Sequence, residues 1–216
     1  MKTHLVLAIS LAACSAQPRS TDAPSYDSVR ERLAAEPTQL FISATANAGT
    51  LDAAHNTGSG WQSGSAALSI SSGAIVASLD VEQQNAELVI ATLDLSFEPI
   101  DVPESVFGTP AQLTGVRLQL PTATAAAGMT WTDDDDATAT LPLELSLSWS
   151  LEVNGGVLPL GAQTLPAIPL DVTFGGDGDS VTSTIALHGD GELWSWADLL
   201  ELTALDVSAD AATIAE

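Results

Sequence analysis

Residues Leu141 to Val153 read LPLELSLSWSLEV, and this stretch decides the fold. Leu141, Leu143, Leu145, Leu147, Trp149, Leu151 and Val153 alternate with Pro142, Glu144, Ser146, Ser148, Ser150 and Glu152. An apolar period of two over this length suits a β-strand with one buried and one wet face, because no helix could turn all of these side chains to one side. At about 3.3 Å per residue a single strand here would be roughly 40 Å long, so a tall sheet is expected.

The same alternation recurs on both sides of this stretch. It is clear at Ile75 to Val81, Val89 to Phe97, Leu113 to Leu120, Ile168 to Phe174 and Val181 to Leu187. It is weaker at Leu40 to Ala46, Leu68 to Ser71 and Leu202 to Ala209. Turn-forming groups stand between these runs: Asn47-Ala48-Gly49, Ser71-Ser72-Gly73, Asn154-Gly155-Gly156 and Gly175-Gly176-Asp177-Gly178. Asn154-Gly155 predicts a type I′ hairpin, in which both central residues need positive φ. The expected fold is all-β, an antiparallel meander of long strands forming a β-barrel, a sandwich or a curved open sheet. Short helices are minor additions, one over Tyr26 to Glu36 capped by Asp27 or Ser28 and one over Ala197 to Leu202. A membrane-spanning barrel is disfavoured by the few aromatics and the lack of aromatic girdles at strand ends.

The amino terminus has a different character. Lys2 precedes Leu5-Val6-Leu7-Ala8-Ile9-Ser10-Leu11-Ala12-Ala13-Cys14, a short apolar run ending in small residues, which is the layout of a secretory signal. The run is well below the roughly 20 residues that a helix needs to cross a bilayer. Leu11-Ala12-Ala13-Cys14 resembles the lipobox of bacterial lipoproteins. That resemblance implies cleavage before Cys14, a diacylglycerol on its thiol and an acylated new amino terminus. It also implies outer-membrane residence, at the periplasmic face or the cell surface, because Ser15 stands where an Asp would signal inner-membrane retention. Cys14 is the only cysteine, so no intramolecular disulfide competes for the thiol. Several acyl chains, each contributing about 0.8 kcal/mol per buried CH2, make a durable tether. The expected organisation is a signal peptide at 1–13, a lipidated cysteine with flexible tether and short helix at 14–37, and one all-β domain at 38–216.

Charge narrows the set of partners. Lys2, Arg19, Arg30 and Arg32 precede position 38, leaving Arg117 as the one Lys or Arg beyond it, in a chain of formal net charge −23. Such a field repels phosphate backbones, which excludes nucleic acid as a partner.

Reactive groups are few. The cysteine is committed to the anchor, only His55 and His188 remain after processing, and no Gly-x-Ser-x-Gly elbow is present. His55 and His188 read as exposed turn residues. Gly58-Ser59-Gly60-Trp61-Gln62-Ser63-Gly64 lacks the Lys of a phosphate loop and reads as a flexible hairpin or loop. Carboxylates cluster at Asp133, Asp134, Asp135 and Asp136, at Asp177 and Asp179, and at Asp190 and Glu192. Loops rich in Asp and Gly offer the oxygen ligands that calcium takes, which makes Asp133, Asp134, Asp135, Asp136, Asp177 and Asp179 the candidate calcium ligands, although EF-hand spacing is missing.

These observations point to a membrane-tethered, non-enzymatic domain with a binding or structural role, its partner being a protein, a carbohydrate or an apolar ligand. Two further expectations are a carrier with an apolar cavity and a carbohydrate hydrolase that uses paired carboxylates. Trp131, Trp149, Trp194 and Trp196 are candidates for a sugar-facing platform, with core or end-cap packing the expected role of Trp194 and Trp196.

Overall fold

The computed structural model describes residues 25–35, 38–80, 86–121, 125–196 and 198–213. Cys14, the signal and most of the expected tether lie outside the described residues. The alternating runs form strands β1 (Thr38–Asn56), β2 (Trp61–Leu68), β3 (Ile70–Asp80), β4 (Glu87–Phe97), β5 (Ile100–Val102), β6 (Ala111–Gln119) and β7 (Ala125–Gly128). They continue as β8 (Thr130–Trp131), β9 (Ala137–Leu143), β10 (Ser146–Val153), β11 (Gly156–Thr164), β12 (Ile168–Gly176), β13 (Val181–Trp196) and β14 (Leu200–Thr213). Two short helices, α1 (Val29–Ala35) and α2 (Glu104–Phe107), complete the described elements.

All strands belong to one antiparallel sheet, ordered β11-β10-β6-β4-β3-β1-β14-β13-β12-β9-β8, with β2, β5 and β7 added at its sides. The order runs from one free edge to the other, so the barrel alternative is not realised and the sheet is open and folded over its core. Three long strands form the spine: β1, β14 and β13 pair side by side over most of their length. Around the spine the sheet divides into two tiers. The first part of β1 pairs with β3, whereas its second part pairs with β2. Similarly, β4 pairs with β7 at its start and with β6 near its end. We call the tier of β3, β7, β9 and β12 the lower one, and that of β2, β5, β6, β10 and β11 the upper one.

One apolar core fills both tiers, including Leu40, Ile75, Leu88 and Phe174 below and Leu113, Leu118, Trp149 and Leu202 above. Trp149 on β10 meets Trp194 on β13 edge to face, with ring centroids 4.9 Å apart. Such a pair contributes about 0.5–1.5 kcal/mol beyond its buried area and holds the folded-over sheet closed in the upper tier.

The stretch expected to form one strand forms two. From Leu141 to Leu151 every apolar position of the alternation is buried, yet β9 ends at Leu143 and β10 begins at Ser146. On one side of the joint β9 pairs with β12, and on the other β10 pairs with β6 and β11. Glu144 and Leu145 thus carry the chain from near one edge of the sheet to near the other. The Leu145 carbonyl stays satisfied by the Leu165 N–H at 2.8 Å. Burial parity continues across the joint while the hydrogen-bonding partners change.

Other breaks also fall differently. Asn47-Ala48-Gly49 lies inside β1, where regular pairing with β14 resumes after a register shift, and Ser71-Ser72-Gly73 lies inside β3. Gly49 is needed there because a Cβ would stand 2.4 Å from the Asp206 carbonyl oxygen. The stretch Gly58 to Gly64 forms the expected hairpin, with β2 beginning at Trp61, whereas residues 198–199, inside the helix expected over Ala197 to Leu202, form a turn and β14 begins at Leu200. The hairpin at Asn154-Gly155 forms as expected, with φ of 51° and 76°.

Candidate functional site

At the lower end of the spine the acidic turns hold α1. Asp133 folds the 133–136 turn by accepting the N–H groups of Asp135 and Asp136, both at 2.8 Å. Asp177 does the same in the 177–180 turn, accepting from Asp179 at 3.1 Å and Ser180 at 2.7 Å. Each turn then reaches the helix. The Asp135 carboxylate accepts the Val29 N–H at 3.1 Å, and the Asp134 carbonyl accepts the Arg30 N–H at 3.1 Å. Ser28 caps the helix by accepting the Glu31 N–H at 3.2 Å. First-turn N–H groups are unsatisfied within any helix, so these acceptors supply what the helix itself cannot.

Side chains tighten the clasp. The Arg30 guanidinium lies 3.3 Å from the Asp134 carboxylate and 5.2 Å from the Trp131 ring centroid. From the other turn, the carbonyls of Gly178 and Asp179 accept Arg32 Nη1 at 3.3 and 3.1 Å. Gly178 permits this approach, since a Cβ would fall 2.0 Å from the Tyr26 carbonyl oxygen. Val29 and Leu33 enter the core at 0% and 1% exposure, so the helix expected within the tether is part of the folded body. The six candidate calcium ligands are therefore divided between two turns, and Asp133, Asp135 and Asp177 each accept backbone N–H groups. Among the described residues, no three His, Cys, Asp or Glu side chains form a group suited to a metal.

The upper end has the opposite chemistry. The β1–β2 turn and the β13–β14 turn lie side by side, joined by the Asn56 N–H donating to the Leu199 carbonyl at 2.9 Å. Trp61 stands opposite Asn56, and Trp196 opposite Leu200. Trp61, Trp196 and Leu199 remain 42%, 38% and 45% exposed, unusual for large apolar groups on so polar a body. Thr57, Ser59, Gln62, Asp198 and Glu201 surround them in the sequence of the two hairpins. Apolar faces beside hydroxyl, amide and carboxylate groups can hold a macromolecular partner by contact and hydrogen bonding. Trp61 and Leu199 were not singled out by alternation, and single exposed apolar residues carry no periodic signal.

Two further places bear on the alternative chemistries. In the upper tier, a groove of about 330 Å³ is lined by Asp101, Gln112, Glu152 and Asn154. Gln112 pairs in register with both Asp101 and Glu152, placing these carboxylates on strands flanking β6. Gln112 also donates to Asp101 at 2.9 Å. Inside, an apolar cavity bounded by Leu51, Leu118, Trp149 and Leu202 measures about 20 Å³. A carrier pocket is typically about 300–1,000 Å³, so this space takes no apolar ligand of ordinary size.

The two histidines differ from expectation as well. His55 lies in β1 with its ring 4.8 Å from that of Phe107, packed rather than exposed in a turn. His188 lies within β13, between the carboxylates of its cross-strand neighbour Asp206 and of Asp190, the latter 2.8 Å from Nε2. Asp206 and then Asp190, through hydrogen bonds, raise the imidazole pKa above its ordinary value. Arg117, meanwhile, binds Asp94 through two nitrogens, Nε at 2.7 Å. This guanidinium contact holds the Asp94 carboxyl below the usual range despite some desolvation.

No protein-family model matches the chain, and a search of curated proteins finds none similar to it.

Proposed function

We propose that this chain is a lipoprotein of the bacterial cell envelope, tethered through Cys14, whose β domain acts by binding a macromolecular partner at the pole opposite its anchor. The anchoring half of the reading rests on Leu11-Ala12-Ala13-Cys14. The observation that carries the binding half is the polarity of the spine. Helix α1, which follows the tether, is clasped at the lower end, while Trp61, Trp196 and Leu199 are exposed at the upper one. The 19 residues of β1 separate these ends by about 60 Å. A domain held by its lower end presents its apolar tip away from the bilayer, and its acidic surface is repelled by anionic headgroups. The partner is a protein or a carbohydrate, the classes suited to exposed indole rings beside hydroxyl, amide and carboxylate groups.

Mass spectrometry of the protein purified from membranes tests the anchor. An acylated amino-terminal Cys14 is expected, and Cys14→Ala should move the chain to the soluble fraction. An unmodified terminus beginning at Ser15 would overturn the reading.

A further inference from the structure

All three spine strands are irregular at one level. Between Asp190 and Trp194 on β13 lie three residues, where β14 places only Thr203 between Ala204 and Leu202. At the same level β1 shifts register between Asp52 and Ala53. The β9–β10 joint lies close by. Ile168, paired with Leu143 at the end of β9, comes within 3.2 Å of where a Gly189 Cβ would stand. This waist separates the lower tier from the upper one. Gly191 takes φ +93° within the bulge, and Leu193 turns into the core next to Trp194, which holds Trp149.

His188 sits on the outer face at the lower lip of this waist. A neutral imidazole has one N–H and one lone pair, and here each nitrogen faces a carboxylate oxygen. Only the protonated ring donates to both. Asp206 belongs to β14, whereas Asp190 is the last β13 residue before the bulge, so the ring joins the neighbouring strand to the lip. The surrounding charges are carboxylates. Asp52 on β1 pairs with Ala204, Asp171 on β12 pairs with Ala186, Glu192 lies exposed in the bulge, and Asp210 lies further along β14.

We propose that His188 is a proton-dependent clamp at the lower lip of the waist, closed by its two carboxylates when protonated and released on deprotonation, so that proton activity sets how firmly β13 is held to β14 just below the bulge. The raised pKa fixes the sign: stabilisation is fully present below the ordinary histidine value and is lost as pH rises through the higher folded value. Release removes the side-chain tie between Asp190, at the edge of the bulge, and Asp206 on β14.

Hydrogen exchange on the intact chain at pH 5.5 and 9.0, normalised for intrinsic rates, reads the clamp directly. Amides of 187–191 and 203–207 are expected to lose protection by about threefold at the higher pH. His188→Gln should exchange at the released rate at both pH values, with protection elsewhere unchanged. Asp206→Asn, which keeps the imidazole, should move the midpoint of the change to lower pH, and it serves where His188→Gln folds poorly. Equal protection of the wild-type waist at both pH values, or an undiminished pH response in His188→Gln, would overturn the clamp.

Discussion

The 133–136 and 177–180 turns at the bottom of the sheet and the two turns at its top close hairpins in the same antiparallel framework, but they spend their side chains differently. Below, aspartates fold their own turns and then satisfy the first turn of α1, so charge is converted into structure. Above, Trp61 and Leu199 leave 42% and 45% of their surface in solvent. An acidic cluster that looks like a ligand site is here a set of backbone acceptors, whereas unclustered apolar residues at the far end keep about two fifths of their surface in solvent. Density of reactive groups in the sequence is therefore a poor guide to which pole is free to act.

Replacing Leu33 with Ala tests this contrast most severely. Val29 and Leu33 are core residues, and Leu33→Ala should lower unfolding free energy by about 2–5 kcal/mol in urea titration. No change would mean that α1 is a loose tether and that the lower pole is as free as the upper. A smaller loss, about 1 kcal/mol, is expected for Asp135→Ala, which removes the acceptor of the Val29 N–H. Added calcium should not replace that loss in a thermal melt if the carboxylate serves only the helix. At the other end Trp61→Ser should change stability by no more than about 0.5 kcal/mol while abolishing partner capture by the tip. A destabilisation as large as that of Leu33→Ala would make the tip structural.

The smallest effect concerns Asp94, paired with Arg117 on the outer sheet face. Its depressed pKa means that the pair stabilises at pH above the ordinary carboxylate value and ceases to do so as pH falls through the lower folded value. Asp94→Asn should therefore be slightly less stable than wild type at neutral pH, with the gap closing below about pH 4 and shrinking at high salt. Parallel melting curves at pH 7 and pH 3 check it.

Much of the sheet was legible because a strand with one wet face writes its period into the sequence. Ile168 to Phe174 and Val181 to Leu187 are clear cases, with their apolar positions buried as alternation requires. What escaped has physical causes. The Glu144-Leu145 joint preserves parity, so no sequence signal marks the change of partners. Strand β2 is built from small and polar residues, and β11 is largely exposed on both faces, so neither alternates strongly. The 189–191 Gly-Asp-Gly triplet reads as a turn, yet β13 passes through it by bulging. The setting of His188 depends on its register against Asp206, which is a property of the pairing of β13 with β14 and not of local sequence. The clasp on α1 was illegible for the same reason, since its contacts span more than a hundred residues.

The pairing of β1 with β14 at the centre of the sheet sets the order in which the molecule can form. The first strand obtains its central neighbour only when residues 200–213 are available, and β9 and β10 must settle into distant places on either side of a two-residue link. Hairpins such as β3–β4, β10–β11 and β12–β13 can form locally, but the long-range pairings raise the contact order and slow the final assembly. A partial chain can thus hold local hairpins while the centre of its sheet stays unpaired until β14 closes it.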